Sequence, residues 1–180
     1  MESIGKLALT TVEWKAPHAL ERSFELSASG HALGTLHFVK AFGSLAEGRT
    51  ADGAWTFKRG GFLRPHVTIR PAGSEQDIGT FRAGWGGDGE LHLTDGFSAR
   101  LVHTNFWHTR WAFQTPDGRP LLHFTPHDRF FKPGAIVEID PSGQSDPHLA
   151  LLVMLGWYLM VMMAQDAAAA GGAAAAVAAG

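Results

Sequence analysis

One short stretch holds the residues with the clearest chemical promise. In Lys58-Arg59-Gly60-Gly61-Phe62-Leu63-Arg64, three cations bracket an apolar tip. Basic side chains draw a chain toward an anionic membrane surface, and an exposed Phe-Leu pair can enter it. Lys58, Arg59, Phe62, Leu63 and Arg64 are therefore the candidate lipid-binding set. The plainer alternative is a strand turn with solvated charges and Phe62 in the core. Arg70, Arg82 and Arg100 extend the positive area if their strands are neighbours.

Ten histidines invite a metal, since imidazole is a common ligand. However, His37, His66, His92 and His123 alternate with Leu36, Val67, Leu91 and Phe124, which places them on an outer, polar face. His123 and His127 straddle Pro126, and His103 and His108 flank a turn around Asn105. Neither pair has a carboxylate between its members. The segment Asp140-Pro141-Ser142-Gly143-Gln144-Ser145-Asp146 spaces oxygen side chains as a calcium loop does at its start. Its sixth position is Ser145 where the sharp turn needs Gly, and its twelfth is Leu151 where a bidentate Glu closes the site. A plain connector is expected there, with no metal and no cofactor. The sequence holds no GxSxG, Walker loop, HExxH or glycine fingerprint opening a helix, so no catalytic residue is assigned. A barrel-mouth site built from His with Asp117 or Asp128, or a small-ligand carrier, stays as an alternative.

Composition narrows the classes further. A chain of 180 residues suits one domain with a substantial core. A net charge of −2 supplies no global field for nucleic acid. The absence of cysteine removes disulfides and thiolate chemistry. The opening MESIGKLALT has no basic segment followed by a long apolar run, so the expected location is cytoplasmic, with peripheral membrane association alongside it.

The elements that must position these residues are strands. Two-residue alternation marks Lys6–Trp14, Arg22–Ser27, Gly34–Lys40, a short run at Ala41–Ala46, Trp55–Lys58 and His66–Arg70. It continues through Ile78–Arg82, Glu90–Thr94, Ser98–His103, Arg110–Gln114, Leu121–Thr125 and Ala135–Asp140. The count is about twelve half-buried antiparallel strands. Asp52-Gly53, Asp88-Gly89, Asp95-Gly96 and Pro116-Asp117-Gly118 read as turns between them.

Leu149 to Ala164 then carries no charge, and only Trp157 and Tyr158 have a polar side-chain atom. A helix with no polar face must be surrounded, by lipid or by protein. It spans roughly 24 Å against a bilayer core of about 30 Å. The last cation before it is Lys132 and none follows, so the basic flank usual for a membrane anchor is missing. A large barrel needs filling, and such a helix can fill it. The expectation is one β-barrel domain over residues 1–166, closed around a helix at 149–165. An Ala/Gly-rich tail at 167–180 follows, because Gly171-Gly172 should stop the helix. A β-domain tail-anchored by 149–164 is the rival.

Many short strands, the hairpin RWAFQTPDGRPLLHF (110–124) and a hydrophobic C-terminal helix together resemble the tubby C-terminal-like superfamily, which includes LURP-one-related proteins and phospholipid scramblases. The resemblance runs from about Lys6 to Gln165 and is one of pattern. It implies a twelve-stranded barrel threaded by the helix, with phospholipid contact in some branches. Scramblases are similar in carrying an acidic calcium segment before the helix, from which Ser145 and Leu151 depart. The expected function is thus a non-enzymatic domain that binds phospholipid headgroups, or a protein partner, through its outer surface.

Overall fold

The structure is a computed structural model, and it describes residues 1–5, 10–18, 21–61, 64–84, 88–105, 109–129 and 132–178. Twelve strands follow one another: β1 Thr11–Lys15, β2 Ser23–Ala28, β3 His31–Phe38, β4 Ala46–Thr50, β5 Ala54–Gly60 and β6 His66–Pro71, then β7 Gly79–Ala83, β8 Gly89–Leu93, β9 Ser98–His103, β10 Trp111–Gln114, β11 Pro120–Arg129 and β12 Lys132–Ile139. A single helical turn, α1 (Pro141–Gln144), leads to the long helix α2 (Leu149–Ala178). Each strand pairs antiparallel with the next, and β1 closes the barrel on β12 through Val12↔Val137 and Trp14↔Ala135.

Alternation decides which side chains go inward. In β2, Phe24 and Leu26 are buried while Glu25 is exposed, and in β12 Val137 and Ile139 are buried while Glu138 is exposed. The inner faces enclose α2, whose residues from Leu149 to Met160 are all buried. Each fully buried Leu or Phe contributes roughly 1.5–3 kcal/mol of transfer free energy. A helix apolar on every side needs surroundings of this kind, and here the barrel supplies them. The run from 149 to 160 is therefore the core of the barrel.

Helix and wall meet closely at two opposite places. A Cβ on Gly34 would stand 2.5 Å from the Met154 methyl, and one on Gly48 would stand 3.2 Å from its sulfur. On the other side a Cβ on Gly156 would fall 2.1 Å from the Phe124 ring. Small residues in β3, β4 and α2 let the helix fit.

Two expectations change. The alternation expected over Ala41–Ala46 is a connection, and the strand is Ala46–Thr50. Its inward residues Ala46, Gly48 and Thr50 are small because Met154 and Phe57 fill the space. The helix also runs past Gly171-Gly172 to Ala178. Two glycines cost about 1 kcal/mol each relative to alanine, and the alanines around them are the best helix formers. The proposed strand segment at Lys6–Leu9 lies outside the described residues.

Because the meander is unbroken, alternate connections gather at opposite ends of the barrel. The end where α2 begins carries the Asp52, Asp95 and Asp117 turns together with α1. The end where α2 leaves carries the connections after β1, β3, β5, β7, β9 and β11.

Candidate functional site

The rim at the helix-exit end holds the most unusual surface. Between β3 and β4, Phe42 is 94% exposed, and Val39 and Leu45 beside it are 45% and 38% exposed. Connections normally hide such residues, and these cannot fold back because Arg22 fixes the backbone beneath them. Its Nη1 donates to the carbonyls of Lys40 (3.3 Å), Ala41 (3.0 Å) and Gly43 (2.8 Å), and its Nη2 donates to Gln165 Oε1 at 3.0 Å. The guanidinium also lies 3.8 Å from the centre of the Phe38 ring. Burial lowers its pKa from the ordinary guanidinium value, but these acceptors suit a charged donor.

The same connection is tied to the helix and to β5. Tyr158 Oη donates to Ser44 O at 2.7 Å, and Ser44 Oγ donates to Arg59 O at 3.3 Å. Burial pushes the Tyr158 phenol far above its ordinary pKa, so it remains a donor. Arg59 Nη1 bonds Asp166 Oδ2 at 2.6 Å as α2 emerges.

Of the sequence-derived set, Lys58 and Arg64 are exposed at this end, whereas Arg59 is committed to Asp166. Phe62 and Leu63 lie outside the described residues. Arg70 is bound by Asp77 at 2.5 Å and Glu75 at 3.5 Å, and Arg100 lies 4.0 Å from Glu90. Arg82 stands opposite that same Glu90 in the β7–β8 register. Arg70 and Arg100 therefore do not extend the positive area. Lys40, exposed beside Phe42, does. Sequence reading missed Arg22, Lys40 and Phe42. Their signal was an aromatic at 42 with no alternating partner.

The histidines have carboxylates after all, supplied from elsewhere in the chain. His103 Nδ1 meets Asp88 at 3.0 Å, His123 Nε2 meets Asp140 at 3.2 Å, and His127 Nε2 lies 3.6 Å from Glu13. His148 bonds Asp146 at 3.1 Å and Asp95 at 2.8 Å. Among the described residues no three His, Asp or Glu side chains converge in a way that could hold a metal; His108 lies outside them. Asp140 and Asp146 face different histidines, and buried Gly143 sits against the Leu121 carbonyl. The segment is a helical turn bedded on β11.

On the outer sheet, His92 lies 3.1 Å from Ser98 Oγ and 3.6 Å from Glu90. These residue types can activate a nucleophile, but the imidazole is exposed, without the water-excluded setting that acyl transfer uses.

A second feature of the helix-exit end is a cavity of about 490 Å³ between α2 and β10, β11 and β12. It lies across the helix from the tethers that hold Tyr158 and Asp166 toward β4 and β5.

No protein-family model and no curated protein matches this sequence. Among solved structures, an X-ray structure of an Arabidopsis thaliana protein is similar over 84% of this chain and 93% of its own, with a TM-score of 0.50 and 13% identity. At that identity the likeness is one of fold alone.

Proposed function

We propose that this chain is a non-enzymatic, tubby-like lipid-binding module that docks on anionic phospholipid surfaces through the helix-exit rim. The observation that carries this reading is Phe42, 94% exposed on a connection that Arg22 holds rigid, with Lys40 next to it and Lys58 and Arg64 exposed at the same end. Cations near a negative leaflet are worth about 1 kcal/mol each, and an aromatic at the tip adds apolar insertion. A cytoplasmic leaflet, rich in anionic lipid, is the matching surface.

The test is co-sedimentation with vesicles containing phosphatidylserine. Binding should weaken as salt rises. The combined variant Lys40→Glu, Lys58→Glu, Arg64→Glu should lose it. Phe42→Ser should weaken it without altering the melting temperature. Equal binding to neutral vesicles, or full binding by the triple variant, would sink the reading. Arg59 is left out of the set because its charge is engaged by Asp166.

A further inference from the structure

Where α2 leaves the barrel, two adjacent residues reach two arginines of the rim. Gln165 Oε1 accepts from Arg22 Nη2 at 3.0 Å, and Asp166 Oδ2 accepts from Arg59 Nη1 at 2.6 Å. The two contacts differ in charge. The Gln165 amide leaves the charge of Arg22 in place, whereas the Asp166 carboxylate cancels that of Arg59. Asp166 is also the one charged residue in the 30 from Leu149 to Ala178. Burial does not call for it. The Asp166 side chain is 56% exposed and that of Arg59 35%, and exposed ion pairs contribute little to stability. Other bonds hold the helix at this level, from Tyr158 Oη to Ser44 O and from Ser44 Oγ to Arg59 O. An acid that the fold hardly needs is thus seated on a rim arginine.

Strand alternation puts Arg59 in reach of the helix. Phe57 is buried and Lys58 exposed, so Arg59, two positions past Phe57, turns inward at the end of β5 and meets α2. Its guanidinium takes carboxylate and phosphate oxygens through the same planar fork. We infer that Asp166 is a built-in competitor: its carboxylate occupies on Arg59 the place of a headgroup phosphate, which takes over the guanidinium when the rim meets an anionic membrane. The inference rests on the membrane reading and adds regulation to it, since α2 then sets how much positive charge the rim offers. Ser44, which bonds the Arg59 carbonyl, lies two residues past the exposed Phe42. Aromatic tip and phosphate contact therefore belong to one rim. The exchange needs no shift of the helix, because rotation of the exposed Asp166 side chain vacates Arg59.

The experiment is co-sedimentation of the full chain with vesicles of phosphatidylserine in phosphatidylcholine, using Asp166→Asn, Asp166→Glu and Glu21→Gln beside wild type. Asp166→Asn removes the charge but keeps an oxygen for Arg59, so the melting temperature should stay unchanged. Binding should tighten about fivefold, the equivalent of the roughly 1 kcal/mol that one cation near a negative leaflet supplies. Asp166→Glu keeps the carboxylate and should bind as wild type does. Glu21 is another exposed acid at this end, on the connection after β1. Glu21→Gln therefore reports the general effect of losing a negative charge and should gain less than about twofold. A second readout follows Arg59 itself. Its Nε–H resonance, assigned with Arg59→Lys, should move on titration with monomeric dihexanoyl phosphatidylserine, at lower lipid concentration in Asp166→Asn than in wild type.

Equal gains from Asp166→Asn and Glu21→Gln, or an Arg59 resonance that ignores the lipid, would overturn the assignment. So would a lowered melting temperature in Asp166→Asn without tighter binding, which would make the pair a structural pin. The triple charge variant separates the two proposals. If wild type sediments and the triple variant does not, while Asp166→Asn changes nothing, this inference falls and the rim reading stands. If neither wild type nor Asp166→Asn sediments, the rim reading falls and takes this one with it.

Discussion

Gly156→Ala sets two effects of comparable size against each other. Alanine is the better helix former by about 1 kcal/mol, and Gly156 sits inside α2 with helix on both sides. On propensity alone the substitution stabilises. The new Cβ, however, would stand 2.1, 2.3 and 3.0 Å from three atoms of the Phe124 ring. That ring must retreat by roughly 1 Å or more to regain ordinary contact. It has little room, being fully buried with Phe113 packed edge-on at 6.4 Å and Trp111 and Val137 paired beside it. Overpacking a core at native density costs about 1–3 kcal/mol.

With about 1 kcal/mol regained from propensity, contacts as short as 2.1 Å put the net loss toward the upper end of about 0–2 kcal/mol, which for a chain of this size lowers the melting temperature by up to roughly 8 °C. Thermal unfolding followed by circular dichroism reads the shift. Urea titration should show a lower midpoint with an unchanged slope. Phe124→Leu should cost less in the Gly156→Ala background than in wild type, with a coupling of about 0.5–3 kcal/mol. A melting temperature raised by Gly156→Ala would mean that the helix does not press on β11 at this point, and the packing argument would fall.

Four other expectations follow from the same geometry. Truncation at Pro147 exposes every inner strand face and should yield no soluble, cooperatively melting domain; a folded 1–146 fragment would refute the central-helix core. Leu155→Lys buries an ammonium where exposure is 0%, at a cost of several kcal/mol against a total of about 5–15, and should give insoluble protein. Met160→Lys is the milder control, because Met160 borders the cavity and its charge can reach the mouth. Tyr158→Phe removes the bond to Ser44 O and should cost about 1 kcal/mol, together with weaker vesicle binding if the 39–45 connection loosens. The Asp95 carboxyl is held below its ordinary pKa, first by the Phe97 N–H and then by His148. Its stabilisation is therefore complete above the ordinary carboxylate value and is lost as pH falls through the lowered one. Acid unfolding of Asp95→Asn should lack that step, and an unchanged acid limb would contradict it.

Much of the fold is legible in the sequence, and the exceptions share a physical cause. Strands whose inner face carries large side chains, such as Phe24 and Leu26 in β2 or Val67 and Ile69 in β6, show themselves by alternation. β4 does not, because Gly48 and Ala46 are small where Met154 and Phe57 occupy the interior. Its apolar signal sits on the helix and on the next strand. The exposed Val39, Phe42 and Leu45 mislead in the opposite direction, imitating a buried pattern where the chain shows an apolar rim. Lys58 and Arg64 stand out as a local cluster of cations. Arg22 does not, since its partners are three carbonyls and a Gln165 side chain 143 positions away.

The parity of the meander explains why a chain with a net charge of only −2 can still have a charged, directional end. In an unbroken antiparallel barrel, odd-numbered connections fall at one end and even-numbered ones at the other. The tight turns at Ser29-Gly30, Asp52-Gly53, Asp95-Gly96 and Asp117-Gly118 are all even-numbered, and with Asp140 and Asp146 they make the helix-start end acidic. The longer odd-numbered connections, after β1, β3 and β5, carry or adjoin Lys15, Arg22, Lys40, Arg59 and Arg64, as well as the exposed Phe42. The two ends therefore differ in charge balance, although the exit end also holds Glu21, Asp88 and the Asp166 that pairs with Arg59. Within a screening length of about 8 Å an anionic surface attracts one end and repels the other. On the proposed membrane reading, this asymmetry alone would orient the barrel, with the exit of α2 and the exposed Phe42 tip toward the lipid surface.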